Sequence, residues 1–188
     1  MMNKSKLLIS INNLNEISEY KKIGISNFLF ALQDFSIGYN TFQLNEIPES
    51  SYILINRVMD TKTIESLRGM LDELVKYKGV IFEDLGVYNI LKDTDLELIW
   101  FQNHFTINNE SMRFWLNRVD SAVIGNEITA SEITNLVNNA SKPLVFNVLG
   151  KNQIMYSRRT LLTNFNKYSI FFFNLVNILY NSSLSFSF

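Results

Sequence analysis

GVIFED, Gly79 to Asp84, decides how this chain is read. A strand with one wet face would alternate apolar and polar residues; an unbroken apolar run ending in carboxylates fits a strand covered on both faces. Four more runs share the design: YILIN (Tyr52 to Asn56), ELIWFQN (Glu97 to Asn103), SAVIGNE (Ser121 to Glu127) and PLVFNVLG (Pro143 to Gly150). Together they point to a parallel sheet. Two earlier runs, KLLISIN (Lys6 to Asn12) and SNFLFAL (Ser26 to Leu32), flank a short helical pattern, NLNEISEYKK.

Helical period fills the gaps between the runs. In DTKTIESLRGMLDELVKY, Ile64, Leu67, Leu71, Leu74 and Val75 fall on one stripe, which predicts one helix. Thr129 and Glu132 have the capping-box spacing, in which each side chain satisfies the other residue's free backbone N–H. Asn108 or Asn109 is placed to cap a helix around Met112 to Leu116. Strand and helix therefore alternate, with about seven mostly parallel strands, as in a (β/α) barrel or an open doubly wound sheet. Neither G-x-G-x-x-G after the first strand nor G-x-x-x-x-G-K anywhere is present, so the phosphate-cradling signatures of open nucleotide-binding sheets are missing. That favours the barrel. A closed eight-stranded barrel typically takes about 250 residues, so the expected fold is α/β, an incomplete TIM-barrel-like domain over residues 1–165.

The 188 residues suit one domain, and 47% hydrophobic with 19% charged residues describes a folded chain. Seventeen basic residues nearly balance 18 acidic ones, so any contact with RNA or an anionic membrane must be local. Cysteine is absent, which removes disulfides, thiolate metal sites and cysteine nucleophiles together. The start, MMNKSKLLISINN, lacks a long apolar stretch and a small-residue cleavage site, giving a cytoplasmic expectation. Residues 166–188 change character: NKYSIFFFNLVNILYNSSLSFSF carries one charge, Lys167. Its apolar part falls short of the about 20 residues a bilayer span needs, and the expectation is a frameshifted or truncated tail with no membrane role.

In a (β/α) barrel, strand C-terminal ends and the loops after them line one open face, where substrates bind. Those ends supply Asn12, Asn56 with Arg57, Glu83 with Asp84, Gln102 with Asn103 and His104, Asn126 with Glu127, and Asn147. Candidate acid-base groups are Glu83, Asp84, His104 and Glu127; candidate substrate contacts are Asn56, Gln102, Asn147, Tyr156, Ser157, Arg158 and Arg159. Turn and cap roles compete at each position, most of all at Asp84 and Asn103. A Ser-His-Asp triad would need His104 with Ser157, yet no G-x-S-x-G surrounds that serine. Glu83, Asp84, His104 and Glu127 offer oxygen and nitrogen donors, but no tight ligand spacing such as H-E-x-x-H, so no metal site is assigned. Arg158 and Arg159 read either as solvated charges or as forks for a carboxylate or phosphate, with Tyr156, Asn152 and Gln153 beside them.

Five blocks in order, YILINR, GVIFEDLGVYNIL, ELIWFQNHFTINNESMRFW, SAVIGNEIT and LGKNQIMYSRRTLLTN, resemble the collagenase-like peptidase family, the group of unassigned catalytic type numbered thirty-two. The resemblance runs from about Lys6 to Phe165. Asn56, Asp84-Leu85-Gly86, Asn108, Glu127 and Tyr156-Ser157 with Arg159 stand at family motif positions. Gln153 and Thr160 replace two signature cysteines, and Arg158 replaces a glycine. The resemblance implies a barrel-like fold and a collagen-degrading type of peptidase; other members hold an iron-sulfur cluster on those cysteines and support hydroxylation of RNA bases or of a quinone precursor. Without cysteine, no iron-sulfur cluster is expected here, and no other cofactor is assigned. The expected function is thus a peptidase-like hydrolase acting on peptide or protein. The alternatives are an RNA-modification accessory protein without a cluster, binding tRNA or rRNA, and a truncated, inactive remnant. A partner chain completing the barrel is the further expectation.

Overall fold

The apolar runs become strands of one parallel sheet. The computed structural model describes residues 6–102, 106–150 and 165–168. In order they form β1 (Ile9–Ser10), α1 (Glu16–Lys22), β2 (Phe28–Leu32), β3 (Thr41–Phe42), β4 (Tyr52–Ile55), α2 (Thr61–Arg68) and α3 (Leu71–Leu74). Then come β5 (Gly79–Phe82), α4 (Leu85–Leu91), β6 (Glu97–Trp100), α5 (Asn109–Leu116), β7 (Ser121–Val123), α6 (Ala130–Asn139) and β8 (Leu144–Val145). The sheet is curled like part of a barrel and runs β1-β2-β4-β5-β6-β7-β8, with β3 paired beside β2. Every neighbouring pair is parallel. The α/β, incomplete TIM-barrel-like expectation is met; β3, two residues long, was not visible as a run.

Side-chain alternation sorts the sheet into two apolar layers. Phe28, Phe30, Leu32, Ile53, Ile55, Val80, Phe82, Leu98, Trp100 and Ala122 join helix residues Leu67, Leu74, Val87, Leu91, Met112, Trp115, Leu116 and Leu136 in the larger one. The intervening residues, Ala31, Tyr52, Leu54, Ile81, Ile99 and Val123, make the smaller one, with Leu8, Leu29, Tyr39, Phe101 and Val145 packed against it. Helices therefore cover the outer side of the curl, and the smaller cluster lines its inner side. This is why the runs are continuously apolar. On the outer side Trp100 stacks on Trp115 at 3.6 Å between centroids, and Phe82 meets Trp100 edge-on.

Two expectations are corrected. The stripe from Ile64 to Val75 is two helices, because the chain leaves the α conformation at Met70, whose N–H donates to Leu67 O. Leu67 and Leu74 remain fully buried, while the turn carries Val75 off the stripe to 45% exposure. PLVFNVL is not a buried strand: only Leu144 and Val145 pair, and Val148 and Leu149 are 81% and 95% exposed. Among the described residues β8 has one neighbour, β7, so nothing described there covers the rest of the run.

The chain divides into two compact units, Met1–Asn152 and Gln153–Phe188. Of the second, residues 165–168 are described, helical and exposed. No helix among the described residues is long and apolar enough to cross a membrane.

Candidate functional site

Parallel order brings all the strand C-terminal ends to one rim. The ladder continues past the strands there: the Glu83 N–H donates to Ile55 O at 3.2 Å and the Phe101 N–H to Phe82 O at 2.8 Å. By alternation Asn56, Glu83 and Phe101, each two residues beyond an inner-face apolar residue, share one row above Leu54, Ile81 and Ile99. The floor of the rim is thus apolar and its edge polar.

Glu83 and Gln102 meet on this edge. Gln102 Nε2 donates to Glu83 Oε1 at 3.2 Å, and both side chains are partly buried. An amide donor from the next strand end holds the carboxylate in one orientation.

Asn56 is fully buried and ties backbone. Its Oδ1 accepts from the Ile37 N–H at 3.0 Å, and its Nδ2 donates to Ile37 O at 3.2 Å. Ile37 belongs to the loop between β2 and β3. The same loop is held by Ser36 Oγ donating to Leu54 O, by Arg57 Nη1 donating to Asp34 O at 2.8 Å, and by Asn40 Nδ2 donating to Asn12 O at 3.1 Å. Asp34 and Gly38 turn it with φ of 68° and 77°. Tyr39, which follows, packs on the inner-face cluster, and burial pushes its phenol pKa up. Sequence reasoning missed Tyr39, because it sits deep in the loop after β2, seven residues past Leu32, rather than at a strand tip.

Asp84 has the cap role that competed with catalysis. Its Oδ1 accepts from the Gly86 N–H at 2.7 Å as the N-cap of α4, and its Oδ2 accepts from the Met59 N–H at 2.9 Å. Gly86 lets α4 approach α2, since a Cβ there would stand 2.6 Å from Ile64 Cδ1. In the Asp-Leu-Gly triplet, Asp84 is therefore explained by capping and Gly86 by packing.

Glu127 and Asn147 lie on exposed segments after β7 and β8, at the same end of the sheet. The Gly125 N–H between β7 and Glu127 is tied to the carbonyl of the buried Thr106 at 3.0 Å. His104, Tyr156, Ser157, Arg158 and Arg159 fall outside the described residues. So do Gln153 and Thr160, at the expected positions of two cysteines. An iron-sulfur cluster held by thiolates does not fit this chain, which has none to offer. Among the described residues no group of three or more His, Cys, Asp or Glu side chains is arranged to hold a metal ion.

The family model for peptidase family U32 matches residues 12–169. The chain belongs to that family. Its fold is similar to the solved structure of the U32 peptidase Mk0906, with a TM-score of 0.59 and 14% identity over 78% of this chain and 71% of that one. At that identity the likeness concerns the fold. No curated protein matches the chain. For this U32 chain, the family-motif positions Asn56 and Asp84 are structural ties, and Asn108 caps α5 by accepting from the N–H groups of Glu110 and Ser111.

Proposed function

We propose that this U32 chain is a peptidase whose working carboxylate is Glu83. The observation that carries this reading is the bond from Gln102 to Glu83, a residue of the inner row at the C-terminal rim above an apolar floor. Asp84, the neighbouring carboxylate, has both oxygens occupied by backbone N–H groups. In this scheme Glu83 takes a proton from a water as that water attacks the peptide carbonyl carbon. It then gives the proton to the departing amine as the C–N bond breaks, so the carboxylate is regenerated. Gln102 keeps the carboxylate aimed, and the apolar floor receives apolar side chains of the peptide.

The test is cleavage of gelatin and of synthetic peptides followed by mass spectrometry, with and without added divalent cations. Glu83→Gln should lower kcat about 100-fold or more, the range general-base removal gives, with the thermal midpoint unchanged. Full activity in that variant would move the base elsewhere. No cleavage by the wild type under any condition, together with retention of tRNA at low salt, would put RNA handling through Arg158 and Arg159 in the place of proteolysis.

A further inference from the structure

We infer that Tyr39 is a substrate-contacting hydrogen-bond donor at the rim, and that Asn56 is a positioning residue that acts through it. This rests on the peptidase reading for the contact, but not for the positioning.

Buried side-chain amides normally pair with whatever their surroundings offer. Asn56 makes a two-point contact with Ile37, reproducing with its side chain the donor and acceptor that a neighbouring strand would present to that residue. At 0% exposure, it cannot reach a substrate. What it does reach is the loop whose next residues are Gly38 and Tyr39. Gly38, at φ 77°, turns the chain after this anchor, and the Tyr39 ring comes down on the inner-face cluster. Ser36, on the other side of Ile37, is tied to the backbone carbonyl of Leu54, itself a residue of the floor. Ties at Asp34, Ser36, Ile37 and Asn40 fix a seven-residue stretch at both ends and in the middle. A surface loop has no need of that order; a loop presenting one side chain to a ligand does.

Tyr39 suits a donor role. No hydrogen bond among the described residues takes its hydroxyl, and the ring lies on the same apolar floor over which the Glu83 row stands. A neutral phenol at an apolar edge donates to a peptide carbonyl without the desolvation that a charged donor would require. The ligand class that fits is a peptide with an apolar side chain for the floor and a backbone carbonyl for Tyr39.

The experiment uses the whole chain. The Ile37 amide is followed by hydrogen exchange in wild type, Asn56→Ala and Ser36→Ala, the last removing a tie without opening the core. Faster exchange of Ile37 by about tenfold or more in both variants supports the positioning; unchanged exchange overturns it. Cleavage of the gelatin-derived peptide cut fastest by the wild type is then compared in Tyr39→Phe, Ser36→Ala, Asn56→Ala and the two double variants containing Tyr39→Phe. Tyr39→Phe should lower kcat/KM about tenfold, the upper range for one neutral hydrogen bond. Ser36→Ala and Asn56→Ala should lower it in the wild type and have little further effect once Tyr39 is phenylalanine. Equal losses in both backgrounds, or no loss in Tyr39→Phe, would overturn the contact. Should the wild type cut no peptide, the peptidase reading and the Tyr39 contact fall together, while the exchange result still decides the role of Asn56.

Discussion

The clearest residue-level device lies at the opposite rim from the candidate site. Tyr52, Gly79 and Glu97 are aligned across β4, β5 and β6, all at strand starts. Tyr52 Oη donates to Glu97 Oε2 at 2.6 Å across the glycine, and Lys78 Nζ sits 4.8 Å from the centre of the Tyr52 ring while donating to Asn27 Oδ1 at 2.7 Å. A Cβ on Gly79 would lie 2.9 Å from Glu97 Cβ, 3.1 Å from Tyr52 Cδ1, and closer still to the Glu97 carbonyl oxygen. Backbone cannot yield there as a flexible side chain would, so Gly79→Ala should destabilise the chain by about 3 kcal/mol, the upper range for overpacking, as measured by urea unfolding. Burial first, and then the hydrogen bond and charge of Glu97, raise the Tyr52 phenol well above its ordinary 10.0. An acid with a raised folded pKa contributes stability that is complete below its unfolded pKa and lost as pH rises through the folded one. Stability should therefore fall above about pH 10, and Tyr52→Phe should flatten part of that fall; Tyr39 and Tyr77, also raised by burial, contribute in the same direction. The sequence marked Gly79 only as the first residue of a run, since the pair it separates is 45 residues apart.

At the element scale, caps were the most legible features. Thr129 and Glu132 form the expected capping box on α6, with the Thr129 N–H donating to Glu132 Oε2 at 2.7 Å. Asn108, rather than Asn109, caps α5. These motifs are local, so spacing alone reveals them. Asp84 shows how far that locality goes. Its cap on α4 was readable, but its second bond reaches Met59, 25 residues away, and ties the loop after β4 to the start of α4. Asp84→Ala should lose both contacts and destabilise the chain by about 2 kcal/mol, above the about 1 kcal/mol of an average cap; thermal unfolding followed by circular dichroism checks it. A loss confined to an average cap's share would mean that the Met59 tie contributes nothing. The break between α2 and α3 was not readable, because the apolar spacing before and after Gly69 fits a continuous helix equally well.

For the whole molecule, stability should grade from the middle of the sheet to its ends. β4, β5 and β6 are four residues each, paired on both sides and buried along almost their whole length. β1 and β8 are two residues each, partly buried, and paired on one side among the described residues. Amide hydrogen exchange should therefore be slowest at Ile53, Leu54, Val80, Ile81, Leu98 and Ile99, and faster by at least about tenfold at Ser10 and Val145. Uniform protection across the sheet would contradict this grading. The same gradient explains why PLVFNVLG was misread. Apolar composition promises burial only when a second neighbour supplies the cover, and among the described residues β8 has one neighbour.

The sequence by itself determined the alternation of strand and helix, the parallel sheet, the caps and the family, because each is written in local spacing or in blocks of consecutive residues. It also placed Glu83 and Gln102 at strand tips. The tertiary structure decided which tips share work: it joined Glu83 to Gln102, assigned Asp84 and Asn56 to holding loops, and brought Tyr39 onto the floor of the rim. The physical reason is range. A hydrogen bond between side chains 19 residues apart, or a loop pinned by a neighbouring strand, depends on register and curl, and neither is encoded in the spacing of any one segment.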